Sequence, residues 1–101
     1  MRLKDRIVIV RILRDYKVKS LYDLNHVGWT FICKNCQLDD NFLEKYFDYL
    51  DFYYIYKKCK LSAKFVLKYA TVIDIPFILQ YQKHLPDKFI NKLARKFMMS
   101  D

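Results

Sequence analysis

The chain repeats itself at a spacing of 23 residues, a period that points to copies of one small supersecondary unit laid side by side. The segment V-G-W-T-F-I-C-K-N-C-Q-L-D-D-N-F-L-E-K-Y, starting at Val27, lies over L-D-F-Y-Y-I-Y-K-K-C-K-L-S-A-K-F-V-L-K-Y, starting at Leu50. Trp29 then falls on Phe52, Ile32 on Ile55, Cys36 on Cys59, Leu38 on Leu61, Phe42 on Phe65, Leu43 on Val66, Lys45 on Lys68 and Tyr46 on Tyr69. A looser third copy starts at Ile73, with Asp74 over Asp51, Ile75 over Phe52, Ile78 over Ile55 and Gln82 over Cys59. One extra residue enters there, after which Leu85, Phe89, Ile90 and Lys92 match at an offset of 24.

The pattern inside each copy is that of two short helices. Phe52, Ile55 and Cys59 are spaced i, i+3, i+7 and form one apolar stripe on a helix begun by Asp51. Ser62 is placed to accept from the open amides of a second helix, whose inner face carries Phe65, Val66 and Tyr69. Leu61 before this cap and Val66 after it are spaced as a hydrophobic staple, and Leu38, Asp39 and Leu43 give the first copy the same device. In the third copy Pro86 occupies the cap position, so the turn there must differ. Helices of about ten residues draw their stability from packing and not from propensity, so the hairpins are expected to stack. One Gly and two Pro in 101 residues leave almost no turn chemistry for a barrel or sandwich. The expectation is a single all-α domain over 1–101: an N-terminal cap over 1–26 and repeats over 27–49, 50–72 and 73–96. Within the cap, Ile7 to Val10 are β-branched, yet Leu3, Ile7, Val10 and Arg14 follow helical spacing, which favours a capping helix. Ser20 is placed to start a second short helix through Leu21 and Leu24, and Phe97, Met98 and Met99 would close the far end.

The stretches D-F-Y-Y-I-Y-K-K-C-K-L-S-A-K-F-V and D-I-P-F-I-L-Q-Y-Q-K-H-L-P-D-K-F-I resemble the short repeat of form D-W-x-x-I-S-x-x-Q-x-L-S-x-x-F-I that occurs in tandem in proteins of large DNA viruses and phages. The resemblance covers about residues 27 to 93 and implies a helical-hairpin array of viral or mobile-element origin, with no assigned chemistry. Departures from the pattern are Gly28 for Asp, Tyr56 for Ser, and Cys36 and Cys59 for the Gln that Gln82 retains.

Nineteen Lys+Arg against eleven Asp+Glu leave a net +8, a sign suited to nucleic acid, acidic proteins or anionic surfaces. The stretches 1–26, 27–49, 50–72 and 73–101 carry +4, −2, +4 and +2, so an acidic block lies between basic ones and no charged tail is formed. Arg11 and Arg14 break the apolar run near the start, and neither a membrane span nor a signal-peptide core is expected. Three Cys cannot all pair within one chain, which favours free thiols and an intracellular setting, the host cytoplasm if the resemblance holds.

Cys33 and Cys36 form a C-x-x-C pair with Cys59, His26 and His84 as further conceivable zinc ligands, but the second pair of a strong zinc signature is missing, and buried Cys acts as a small hydrophobe. No cofactor or metal is expected. The two His lie 58 positions apart with no hydrolase, zincin or phosphate-loop motif near either. Asp39, Asp40, Glu44 and Asp48 are accounted for by capping and solvation. An enzyme is not expected. What stands out is a basic and aromatic cluster of Tyr53, Tyr54, Tyr56, Lys57, Lys58, Lys60, Lys64 and Lys68, with Lys45, Lys68 and Lys92 at equivalent places in the three copies. Alternating cations and aromatics suit single-stranded nucleic acid and suit an acidic protein surface equally; plain solvation of a helical protein is the competing account. The leading expectation is a non-enzymatic accessory protein of a virus or phage. It docks on an acidic or nucleic-acid-binding host protein, as in inhibition of a defence system such as a CRISPR effector. Direct DNA or RNA binding is the alternative, and weak self-association of an otherwise monomeric chain a third.

Overall fold

In the computed structural model, which describes residues 1–97, seven α-helices follow one another: α1 Leu3–Asp15, α2 His26–Asn35, α3 Asp40–Lys45, α4 Phe52–Lys58, α5 Ala63–Lys68, α6 Ile75–Tyr81 and α7 Asp87–Phe97. Two 3₁₀ turns, Leu21–Asp23 and Phe47–Tyr49, lie before α2 and before α4. No strand occurs among the described residues, so the fold is all-α. Leu21 opens the first of these turns, where a short helix from Ser20 is expected; Met98 and Met99 lie outside the described residues.

The helices start where the side chains can satisfy open amides. Asn25, Asp39, Ser62 and Asp74 each accept from the backbone N–H three residues on, at Gly28, Phe42, Phe65 and Phe77. Pro86 lacks such a side chain, and α7 begins directly after it, with the Pro86 carbonyl accepting from Ile90 N–H at 2.9 Å. The first helix ends on a left-handed residue that is not glycine: Lys17 has φ 56°, its N–H donates to Arg14, and Val18 N–H donates to Leu13. This paired 5→2 and 6→1 closure is a Schellman stop.

Copies 23 residues apart share backbone conformation as well as residue type. Tyr46 and Tyr69, which end α3 and α5, have φ, ψ of −112°, 24° and −108°, 18°. Asp51 and Asp74, which precede α4 and α6, have −92°, 94° and −84°, 96°. Cys36 and Cys59 are both extended, while Gln82 turns to ψ 62°, where the third copy takes its extra residue.

The chain divides into two compact units, Met1–Cys59 and Lys60–Asp101, with the division inside the second copy, between α4 and α5. In the first unit α2 packs on α1 and on α4. Its core holds Ile9, Ile12, Leu21, Leu24, Trp29, Ile32, Leu43 and Ile55. The inner face of α1 is Asp5, Ile9 and Ile12, not the Leu3–Ile7–Val10 stripe, which points outward at 73%, 44% and 63% exposure. The local pattern misassigns the face because a buried carboxylate, paired with the exposed Arg2, replaces one apolar residue. The Asp5 carboxylate is fully buried and held by Arg2 Nε at 2.7 Å. Trp29 Nε1–H donates to the Leu21 carbonyl at 3.1 Å, and its ring stacks on Tyr49 and lies against Tyr46 and Phe42. At the equivalent position Phe52 is half-buried against Phe47 and Tyr56, and in the other unit Ile75 is buried.

Gly28 has an ordinary helical backbone, and what requires glycine there is close approach. An added Cβ would lie 2.5 Å from Leu24 Cδ1 and 2.6 Å from Leu24 Cγ, and Leu24 is itself buried. Gly28→Ala gains about 1 kcal/mol of helix propensity but overpacks a tight contact at about 1–3 kcal/mol. The expected net result is a lower chemical-denaturation midpoint; a raised midpoint would show that Leu24 moves aside freely.

In the second unit α6 packs on α7 around Leu61, Phe65, Val66, Ile73, Ile78, Leu85 and Leu93. Gln82, 2% exposed, sits in this core because its Oε1 accepts from the buried Leu61 N–H at 2.8 Å. His84 Nε2 lies 2.7 Å from the Leu61 carbonyl, which can only accept, so that nitrogen carries the proton. The first unit shows the same arrangement one repeat earlier, where the Leu38 N–H donates to the Cys59 sulfur. The residue matching the glutamine of the repeat pattern thus satisfies the backbone of the leucine 21 positions before it in both units.

Candidate functional site

All three thiols are buried, free and part of the core of the first unit. Burial pushes Cys33 up to about 12 and Cys36 up to about 11, the latter also through the nearby Asp5 carboxylate, and raises Cys59. Their polar contacts are with the backbone: Asp51 N–H donates to Cys33 Sγ at 3.4 Å, and Cys59 Sγ–H donates to the Cys36 carbonyl at 3.5 Å. Among the described residues no group of three or more His, Cys, Asp or Glu is gathered around a point that could hold a metal ion. A thiol held this far above neutrality supplies almost no thiolate. A disulfide reagent at pH 8 is therefore expected to label the folded chain at least about a hundredfold more slowly than the denatured chain. Equal rates would remove the burial argument.

The carboxylates are equally structural. Asp39 is held below the usual range by the Phe42 amide that it caps, and Asp5 by the Arg2 guanidinium. Asp5 is the buried charged residue that sequence reasoning missed; its place between Arg2 and the β-branched run carries no signal of burial.

The aromatic and basic cluster is distributed more narrowly than its sequence suggests. Of the three tyrosines on α4, Tyr53 is 49% exposed, Tyr54 is half-buried and Tyr56 is only 7% exposed. Tyr56 belongs to the core beside Phe52, because α4 turns it to the same side as Ile55 and Cys59. Tyr56, placed with the candidate docking residues by its position in the sequence, is thereby corrected to a core residue. Lys57 and Lys58 are exposed at the end of α4; Lys60, Lys64 and Lys68 are exposed in the second unit, where Lys68 Nζ lies 5.6 Å over the Tyr69 ring.

On the first unit the structure joins three of these side chains and Lys34 into a string. Lys57 Nζ donates to Tyr53 Oη at 2.8 Å and sits 4.3 Å from the centre of its ring. Tyr53 meets Tyr54 edge-on at 5.2 Å, and Lys34 Nζ, reaching across from α2, lies 5.5 Å over Tyr54. Packing of α2 on α4 brings Lys34 in, and the repeat contained the signal: Lys34 and Lys57 are 23 residues apart, at equivalent places. Such ammonium–ring contacts contribute about 0.5–1 kcal/mol each at exposed sites and fix where the charge is presented.

No helix among the described residues is long and apolar enough to cross a membrane. Comparison of the chain with protein-family models, with curated proteins and with solved structures found no match.

Proposed function

We propose that this protein acts by binding, without chemistry of its own, and that the string Lys34–Tyr54–Tyr53–Lys57, extended by Lys58, docks on an acidic surface of another protein. The observation that carries the reading is the placement of Lys57 on Tyr53 and of Lys34 over Tyr54. A base stacks on an open ring face; here one face of Tyr53 and one of Tyr54 are each taken by an ammonium group, so the string presents cations and phenol edges and offers a base a reduced platform. Tyrosine supplies large area at low entropy cost, and lysine supplies steering toward negative charge. The arrangement of the 23-residue copies as a stack of helix pairs belongs to the same proposal. It is supported by the packing of α2 on α4 and by the matching backbone angles at the ends of successive copies. Stacking presents equivalent residues such as Lys34 and Lys57 on one flank.

The variant Lys57→Glu/Lys58→Glu tests the docking surface. A partner captured from lysate by the parent chain is expected to associate at least about tenfold more slowly with the variant, with a smaller change in dissociation. The difference should shrink as salt is added. An unchanged on-rate across the salt series would count against the string as the docking surface. Anisotropy of a labelled oligothymidylate at low and moderate salt decides the other reading: tight binding with a steep salt slope would replace the protein partner by single-stranded nucleic acid.

A further inference from the structure

The outward face of α1 is a second, separate surface. Leu3, Ile7 and Val10 are exposed at 73%, 44% and 63%, and together with Arg6 and Arg11 they line a shallow open depression of about 370 Å³. Single exposed aliphatics are ordinary on any protein, but these three are consecutive along one helix at spacings of four and three. Two of them are β-branched, so they cost helix propensity and recover only part of it by burial, Val10 less than Ile7. The buried side of α1 is separately provided by Asp5, Ile9 and Ile12, which leaves the outer stripe outside the core of the first unit.

The geometry of the stripe selects the occupant. Residues 3, 7, 10 and 14 follow the alternating four–three spacing of a heptad seam, and at 3.6 residues per turn the three apolar positions span an arc of only about 60°. That is the narrow seam of helix-on-helix pairing, not the broad face with large aromatics that lies down in a lipid surface. On either side of the seam stand cations: Arg6 on one flank, Arg11 and Lys4 on the other, with Arg14 continuing the seam itself, and all four are exposed. Two carboxylates lie beside these cations: Asp15 is 3.5 Å from Arg14, and Asp39, which also holds the Met1 amino group, shares a neighbouring depression with Arg6. A second copy of α1, parallel or antiparallel, would set cation against cation along both flanks, which is unfavourable. We infer that the outer face of α1 pairs with an amphipathic helix of another protein that carries aliphatic residues on its seam and Asp or Glu on both flanks. This surface uses none of the residues of the Lys34–Lys57 string, so the two readings stand or fall separately.

The test uses the full chain and two labelled three-heptad peptides with leucine seams, one flanked by Glu and one by Lys, followed by fluorescence anisotropy. The Glu peptide is expected to bind and the Lys peptide not to. Ile7→Asp is expected to weaken the Glu peptide at least about tenfold, which is roughly 1.4 kcal/mol. Arg6→Glu/Arg11→Glu is expected to lose the Glu peptide and to gain the Lys peptide, an exchange that misfolding cannot produce. Both variants lie on the outward face, and unchanged helical circular dichroism checks that they fold. The inference is overturned if the Glu peptide does not bind or binds Ile7→Asp as well as the parent. It is also overturned if phosphatidylserine vesicles, but not the peptide, bind in a manner dependent on Ile7, Arg6 and Arg11. Self-association of the chain that Ile7→Asp abolishes would make a second copy the occupant and overturn it too.

Discussion

Truncating Trp29 to alanine is expected to lower the unfolding free energy by about 3–5 kcal/mol, read from urea denaturation followed by far-ultraviolet circular dichroism. The indole is 3% exposed and touches Phe42, Tyr46 and Tyr49, so its removal leaves a cavity lined by rings that cannot collapse together. It also removes the donor to the Leu21 carbonyl. The two contributions separate in Trp29→Phe, which keeps much of the ring contact and loses the hydrogen bond at a cost of about 1–3 kcal/mol. Domains of ordinary size are stable by about 5–15 kcal/mol, so the alanine variant should be near the edge of folding. A loss under about 1 kcal/mol would show that the ring cluster is not a core of the first unit.

Phe65→Ala is expected to cost a similar 3–5 kcal/mol, and the comparison with its counterpart Phe42 is the more informative half of that experiment. Both follow a capping residue by three positions, and both donate their amides to it, Phe65 to Ser62 and Phe42 to Asp39. Phe65, however, is 1% exposed beside the fully buried Leu61 and Val66, whereas Phe42 is half-buried at the margin of the Trp29 cluster. Phe42→Ala should therefore cost distinctly less, by the same denaturation measurement. Equal losses would mean that repeat position, not burial, sets the energetics.

Periodicity made the local structure legible. The caps at Asp39 and Ser62, the helices after them and the break at Pro86 all follow from residue types whose effect reaches only three or four positions along the chain. What depends on longer reach was not legible. The 3–7–10–14 spacing on α1 marks a helix equally well whether the stripe faces in or out, and only the packing of the Asp5, Ile9 and Ile12 face inside the first unit decides which. Tyr56 reads as one of three adjacent tyrosines, yet the rotation of α4 sends it inward and Tyr53 outward. Lys34 stands 19 positions before Tyr53, where the cluster begins, and joins it through the packing of α2 on α4. Gln82 shows the converse: the residue type retained from the repeat pattern is explained by the backbone amide that it satisfies.

Hydrogen bonds between successive copies have a kinetic corollary. Gln37 to the Lys58 carbonyl, Cys59 to Cys36, Leu61 to Gln82 and His84 to Leu61 each tie together residues 21 to 23 positions apart. Loops of that length close in well under a microsecond to a few microseconds by ordinary chain diffusion, and the entropy lost on closing them is modest. With these bonds at such short reaches, and even the bond from the Met1 amino group to Asp39 spanning only 38 positions, each unit should search little before it is native, and refolding from denaturant should finish within the microsecond-to-millisecond range of low-contact-order helical proteins.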